Sequence, residues 1–258
     1  MTFQEKVRTG MPLCGAHVHV CDVIPTEIFA SLGYDYIWID MEHTTLSPEQ
    51  VHHHIIAARN EGSAAVVRVP VHDLTITKRI MEIGPDGIVF PMVHDAKEAE
   101  ELLSWTLYPP SGARGCGPKA AVRYGIDNEP DFYRNGHKKT CRFIQIEQKS
   151  AVDDIERIAS ISYIDGCVLG LLDLSGSRNA LGDMYTTDNL SLAKHVADTM
   201  KKHGKTAGIS TGATDTETLT MLHNMGINMI SAGADFEYVV KLGRQTKELM
   251  KKIQGGKK

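Results

Sequence analysis

Asp40, Glu42 and His43 crowd the end of an apolar run, Tyr36-Ile37-Trp38-Ile39, and between them could do acid–base or metal chemistry. His43 is the natural general base, because an imidazole titrates near neutral pH. Arg68 lies inside a second apolar run, Ala64–Val69, where a guanidinium needs an anionic partner. That partner is either a substrate carboxylate or enolate oxygen, or Asp40 in a structural ion pair. Gln145 and Glu147 end the run 143–147, and Asp173 follows the run 166–169. Two carboxylates from adjacent units, completed by water or substrate, suit Mg²⁺ or Mn²⁺ better than zinc. The alternative is a Glu147 paired with a nearby Arg or Lys.

His17-Val18-His19 offers a competing metal site, since alternate residues of a strand share a face. The pair is similar to the HxH that opens amidohydrolase barrels, but that signature's strand-end lysine and later histidine pair are missing. A Schiff-base mechanism also needs a lysine at a strand's carboxyl end. None of the candidate ends carries one, which disfavours covalent catalysis. Consecutive histidines His52–His54 fall on a helical stretch and fan around its axis, so they read as a solvated or packed face.

These groups need a frame that gathers strand ends. Apolar runs 13–20, 36–40, 64–69, 87–92, 143–147, 166–169, 206–210 and 227–231 alternate with helix-compatible segments. The helices are expected over 25–32, 48–60, 74–83, 95–105, 150–158, 189–203, from 214, and over 235–253. Ser47 with Gln50 and Asp95 with Glu98 have capping-box spacing, and Thr214 with Glu217 repeats it. Eight strand–helix units with two-sidedly apolar strands predict a closed (β/α)8 barrel over residues 1–258, with a doubly wound sheet as the alternative. A long irregular stretch, 108–142, interrupts the rhythm, and its Pro/Gly-rich part, Pro109–Pro118, reads as an active-site loop inserted between units four and five. In such folds functional groups collect beyond the carboxyl ends of the strands, where Ser210 and Thr211 also lie.

At 258 residues, with 42% hydrophobic and 23% charged residues, the chain reads as one soluble domain. A formal charge of -4 argues against nucleic acid or an anionic membrane as partner. The polar N-terminus and the lack of a long apolar run suggest a cytoplasmic protein. Five scattered cysteines without a CxxC pair suggest reduced thiols.

Read together, the stretches GYDYIWIDMEH, VVRVP, FPMV, YPPSGARG, QIE and GLLDLS, in this order and spacing, resemble the metal-dependent pyruvate aldolases of the 4-hydroxy-2-oxoheptanedioate aldolase family. The similarity runs from Pro12 to the last helix. It implies that Glu147 and Asp173 hold a divalent ion (Mg, Mn or Co), with Gln145 nearby. Arg68 would stabilise an enolate oxygen, and His43, supported by Asp40, would act as acid/base through a water. Gly170, Leu172 and Thr211 would line the oxo-acid site, the loop amides taking the substrate carboxylate. Glu82 would reach a neighbouring subunit's site in a hexamer, a dimer of trimers with a swapped last helix. The implied reaction is reversible cleavage of a 4-hydroxy-2-oxo acid to pyruvate and an aldehyde. Other readings are a lyase acting on a CoA thioester, a His17/His19 metallohydrolase, and a non-catalytic oxo-acid-binding barrel. Two departures from the family pattern stand out: Leu171-Leu172 replaces a Pro-containing loop, and His17 and His19 replace less ionisable residues.

Overall fold

The computed structural model describes residues 1–255. Eight parallel strands close into a barrel in sequence order: β1 (Leu13–Val18), β2 (Tyr36–Asp40), β3 (Ala64–Arg68), β4 (Gly87–Phe90), β5 (Cys141–Ile146), β6 (Gly166–Leu169), β7 (Thr206–Thr211) and β8 (Met229–Ala234). Strand alternation divides the apolar residues into two cores. Ile37, Ile39, Val67, Ile88, Phe90, Ile144 and Ile146 point outward against the helices. Leu13, Tyr36, Trp38, Val66, Val89, Phe143, Val168 and Met229 fill the barrel itself. Tyr36 fits there because residue 15 is glycine: a Cβ at Gly15 would lie 2.2 Å from its ring. At the carboxyl end the inward series turns polar, with Asp40, Arg68, Gln145 and Ser231 all buried above this apolar plug.

The helices are α1 (Phe3–Arg8), α2 (Ile24–Ser31), α3 (Pro48–Asn60), α4 (Leu74–Ile83), α5 (Ala96–Ser104), α6 (Glu129–Asn135), α7 (Lys149–Asp153), α8 (Ile155–Ser160), α9 (Leu171–Gly176), α10 (Thr187–Lys202), α11 (Thr216–Asn224) and α12 (Asp235–Gly255). Helix α1 closes the amino end of the barrel, with Val7 buried and its carbonyl accepting from the Thr206 hydroxyl at 2.7 Å. Helix α3 begins as its sequence dictates: Ser47 and Gln50 form a reciprocal capping box and Pro48 occupies the first turn.

Several boundaries differ from the sequence expectation, each for a local reason. The expected helix over 150–158 is two pieces, because Asp154 turns out of line and its carboxylate accepts from the Ala96 amide at 2.8 Å. Asp215, not Thr214, caps α11, accepting from Thr218 N. At α5 only half of the box forms: Asp95 accepts from Glu98 N, while the Glu98 carboxylate turns back to His94 N. The last strand starts at Met229 rather than 227, since Asn228 is held by Ala207 and Gly10. The stretch 108–142 contains α6 and two 3-10 turns. The GLLDLS segment, expected as loop, is helix α9.

Candidate active site

Parallel register sets Asp40 beside Arg68. The guanidinium fork closes on that carboxylate, Nε donating to Oδ1 at 2.8 Å and Nη2 to Oδ2 at 2.7 Å. Its third arm, Nη1, lies 2.9 Å from Glu42 Oε2 and 3.5 Å from Gln145 Oε1. Trp38 supports the guanidinium from below, 5.7 Å from its ring centroid. Burial pushes the Asp40 carboxyl up, but the hydrogen-bonded Arg68 overcomes this and holds it below the ordinary range. Arg68 is thus a fixed cation whose charge is shared between two carboxylates.

Glu147 lies across the mouth and is almost fully buried. Its Oε1 accepts from Met92 N at 2.6 Å, and Met92 itself has φ 56, a conformation rare for a non-glycine residue. Its Oε2 accepts from the Gln145 amide. Burial pushes Glu147 up to about 7, with Glu42 and Asp173 adding to the rise against those two hydrogen bonds. Glu42 is likewise raised to about 7, first by burial and then by Asp40 and Asp173, against the pull of Arg68. The Asp173 charge is thus felt by both glutamates, although among the described residues no three His, Cys, Asp or Glu side chains are grouped to hold a metal ion.

Helix α9 reaches this point because residue 170 has no side chain. A Cβ on Gly170 would lie 2.5 Å from Glu147 Oε2. The helix starts without a side-chain cap, so the amides of its first turn have no side-chain partner. Above it opens a pocket of about 500 Å³ lined by Arg68, Gln145, Gly170, Leu172, Asp173 and, on its far side, Thr211. A cleft of equal volume at the barrel's opposite end has its main cations already paired, Arg8 with Asp165 and Arg59 with Asp86.

The remaining sequence candidates fall in different places. His43 borders the pocket and is well exposed, 3.7 Å from Glu42. The carboxylate beside it is therefore Glu42, because both Asp40 oxygens are taken by Arg68. Glu82 sits on α4 away from this mouth, 3.8 Å from Arg114, and burial raises its carboxyl despite that cation.

His17 and His19 stack at 5.4 Å but do not converge on one point. Both His17 nitrogens meet hydroxyls, Nδ1 with Ser231 at 2.8 Å and Nε2 with Ser210 at 3.1 Å. That use of the ring speaks against the paired-imidazole metal site. Burial, reinforced by Arg68, pushes His17 down to about 3, so it is neutral. His19 stands between two carboxylates, 3.7 Å from Asp40 and 3.6 Å from Asp235.

Sequence reasoning placed Glu42 in the acid–base cluster with Asp40 and His43 but not on Arg68, and gave no role to Asp235 or Tyr185. Asp235 opens the last helix directly after β8, and its carboxylate binds the amides of His19 and Val20 at 2.8 and 3.0 Å. Nothing local marks Tyr185, whose hydroxyl meets Thr211 Oγ1 at 3.0 Å.

A family model described as HpcH/HpaI aldolase/citrate lyase matches residues 18–241. A hydroxypyruvate/pyruvate aldolase of Roseovarius nubinhibens is 28% identical over 245 residues, 95% of each chain. A 5-keto-4-deoxy-D-glucarate aldolase of Klebsiella pneumoniae is 32% identical over 212 residues, 80% of each. Among solved structures, an HpcH/HpaI aldolase from Desulfitobacterium hafniense superposes with a TM-score of 0.90 at 24% identity, covering 97% of each chain. An HpcH/HpaI aldolase/citrate lyase family protein from Burkholderia cenocepacia gives 0.89 at 27%, covering 96% of this chain and 98% of that one. The chain belongs to the HpcH/HpaI aldolase/citrate lyase family and is a carbon–carbon lyase.

Proposed function

We propose that the protein is a metal-dependent aldolase that reversibly cleaves a 4-hydroxy-2-oxo acid, of which 4-hydroxy-2-oxoheptanedioate is one example, to pyruvate and an aldehyde. The observation that carries this reading is a fixed Arg68 cation that lines one pocket with Gln145, Gly170 and Asp173, with the buried Glu147 held by Gln145 beside it. Glu147 and Asp173 fit a hard divalent cation such as Mg²⁺, Mn²⁺ or Co²⁺. Their donors are all oxygen, and the buried, crowded Glu147 is raised to about 7, a strain that a cation relieves. Bound there, such an ion supplies Lewis-acid stabilisation of developing oxygen charge.

The chain's own residues do the rest. Uncapped amides at the start of α9, those of Leu171 and Leu172, hold the substrate carboxylate. Arg68 offers Nη1 to the C2 oxygen, where negative charge grows as the enolate forms. His43, beside Glu42, accepts the C4 hydroxyl proton through a water. The C3–C4 bond then breaks, its electron pair passing into the enolate, and C4 departs as the aldehyde. Protonation at C3 gives the methyl group of pyruvate. Glu82 serves the site of a neighbouring copy in a hexamer built by exchange of α12, whose Val239, Leu242, Leu249 and Ile253 present an exposed apolar face.

The test is exchange of pyruvate's methyl protons in D₂O, followed with Mg²⁺ or Mn²⁺ and then with excess chelator. Exchange should require the ion and fall by about 10²-fold or more in Glu147→Gln and Asp173→Ala. Full exchange in the presence of chelator, or in either variant, overturns the assignment.

A further inference from the structure

The far side of the pocket differs from the side that holds Arg68. It is built from the end of β7 and the turn beyond it, from Thr218 of α11 and Glu237 of α12, and from Tyr185 in the loop before α10. Four hydroxyls line it, those of Ser210, Thr211, Thr218 and Tyr185, together with the carboxylates of Asp215 and Glu237. Tyr185 and Thr211 are linked at 3.0 Å. Ser210 is fixed by His17, which is itself fixed by Ser231, so this hydroxyl is aimed rather than free. Burial keeps His17 neutral and adds no positive charge to the wall. Asp215 is tied to α11 through Thr218 N, and Glu237 to the Ala234 amide at 3.0 Å, so both carboxylates are held in place.

Among the described residues no Lys lines this pocket, and the guanidinium that does, Arg68, is already bound by Asp40 and Glu42; Lys241, whose charge reaches Asp215, donates to the Thr214 hydroxyl at 2.6 Å. An aldehyde carrying its own carboxylate would meet two fixed anions there and, among the described residues lining the pocket, no free ammonium or guanidinium. A polyhydroxylated, uncharged aldehyde would find donors and acceptors at hydrogen-bonding positions. Repulsion of the wrong ligand is as effective a source of selectivity as attraction of the right one.

We infer that the acceptor half of the pocket takes an uncharged, hydroxyl-bearing aldehyde and rejects aldehydes with a second carboxylate. This rests on the aldolase reading above and narrows it, setting diacid substrates aside.

A matched pair tests it: glyceraldehyde, and 2-hydroxy-3-oxopropanoate, in which a carboxylate replaces the CH₂OH. Each is condensed with pyruvate, and kcat/KM is measured for the aldehyde. Glyceraldehyde should be preferred by about tenfold or more. The double variant D215N/E237Q should cut that preference to about threefold or less; Asn still caps α11 and Gln still reaches the Ala234 amide. Raising salt from about 20 to about 500 mM should shrink the preference in the unaltered protein, because the repulsion is screened. This second measurement does not depend on the variant's folding. Equal use of both aldehydes, or a preference for the anionic one, overturns the inference, as does a preference insensitive to both salt and D215N/E237Q. Pyruvate exchange without condensation of either aldehyde overturns it too, while leaving the enolate chemistry standing. Absence of exchange removes the aldolase reading and this inference with it.

Discussion

Two sides of one barrel mouth solve the problem of buried polarity in opposite ways. On the β2–β3 side, Asp40 and Arg68 form a bidentate pair and Glu42 takes the spare arm, so charge is neutralised by charge. On the β7–β8 side, His17 is stripped of charge by burial and bonds two serine hydroxyls. A guanidinium cannot be discharged, so its site must supply anions; an imidazole can, so its site need supply only hydrogen-bond partners. The charged side can therefore stabilise a developing anion. The neutral side can orient a ligand without competing for it electrostatically.

The sharpest way to break this contrast is to remove the cation. Arg68→Ala leaves Asp40 fully buried without its cation, with only the Glu42 amide donating to it at 3.0 Å and His19 3.7 Å away, which should cost about 3–5 kcal/mol of stability. Pyruvate exchange should fall by about 10³-fold. Because a destabilised protein could lose activity for trivial reasons, D40N/R68M is the informative companion. Removing both charges should restore much of the stability, read by thermal unfolding, without restoring exchange. Recovery of exchange in that double variant would show that Arg68 is only a structural counter-ion.

That dual possibility was legible in the chain, since Arg68 inside AAVVR had to find an anion and Asp40 was the nearest in prospect. What the sequence could not decide was how Arg68 divides itself. Both of its partners come from the second unit, and only the three-dimensional register shows Asp40 saturated and Glu42 left over to neighbour His43. The barrel was legible for a simpler reason: strands buried on both faces leave continuous apolar runs. Helix α9 was not, because six residues carry no measurable periodicity and Gly170 looks like a loop residue. Its actual role is to let α9 approach Glu147. Tyr185 and Asp235 stayed hidden because their importance depends on contacts 26 and 216 residues away in sequence.

The neutral side yields a smaller effect with a defined sign. His17 titrates near its ordinary 6.5 when unfolded and at about 3 when folded. Between these values the unfolded chain binds a proton that the folded chain refuses. The contribution of His17 to stability is thus full above 6.5 and is lost as pH falls toward 3. His17→Gln keeps a donor and an acceptor near Ser210 and Ser231 but has no proton to gain. Its thermal midpoint should fall less steeply than that of the unaltered protein between about pH 6.5 and pH 4. Parallel slopes would mean that His17 is not held neutral, and the distinction between the two sides would fail.

The smallest effect belongs to the wall itself. Tyr185→Phe removes one hydroxyl, half exposed, whose partner Thr211 can still accept from the Ala213 amide at 3.1 Å. A neutral hydrogen bond of this kind contributes about 0.5–1.5 kcal/mol, which sets the expected rise in KM for glyceraldehyde at about two- to tenfold. The same change should matter less for an acceptor without hydroxyls, such as acetaldehyde, because that ligand never used the bond. The comparison of the two acceptors therefore separates recognition from general loosening of the loop. A loosened loop raises both KM values together, whereas a wall that reads hydroxyl groups raises only one.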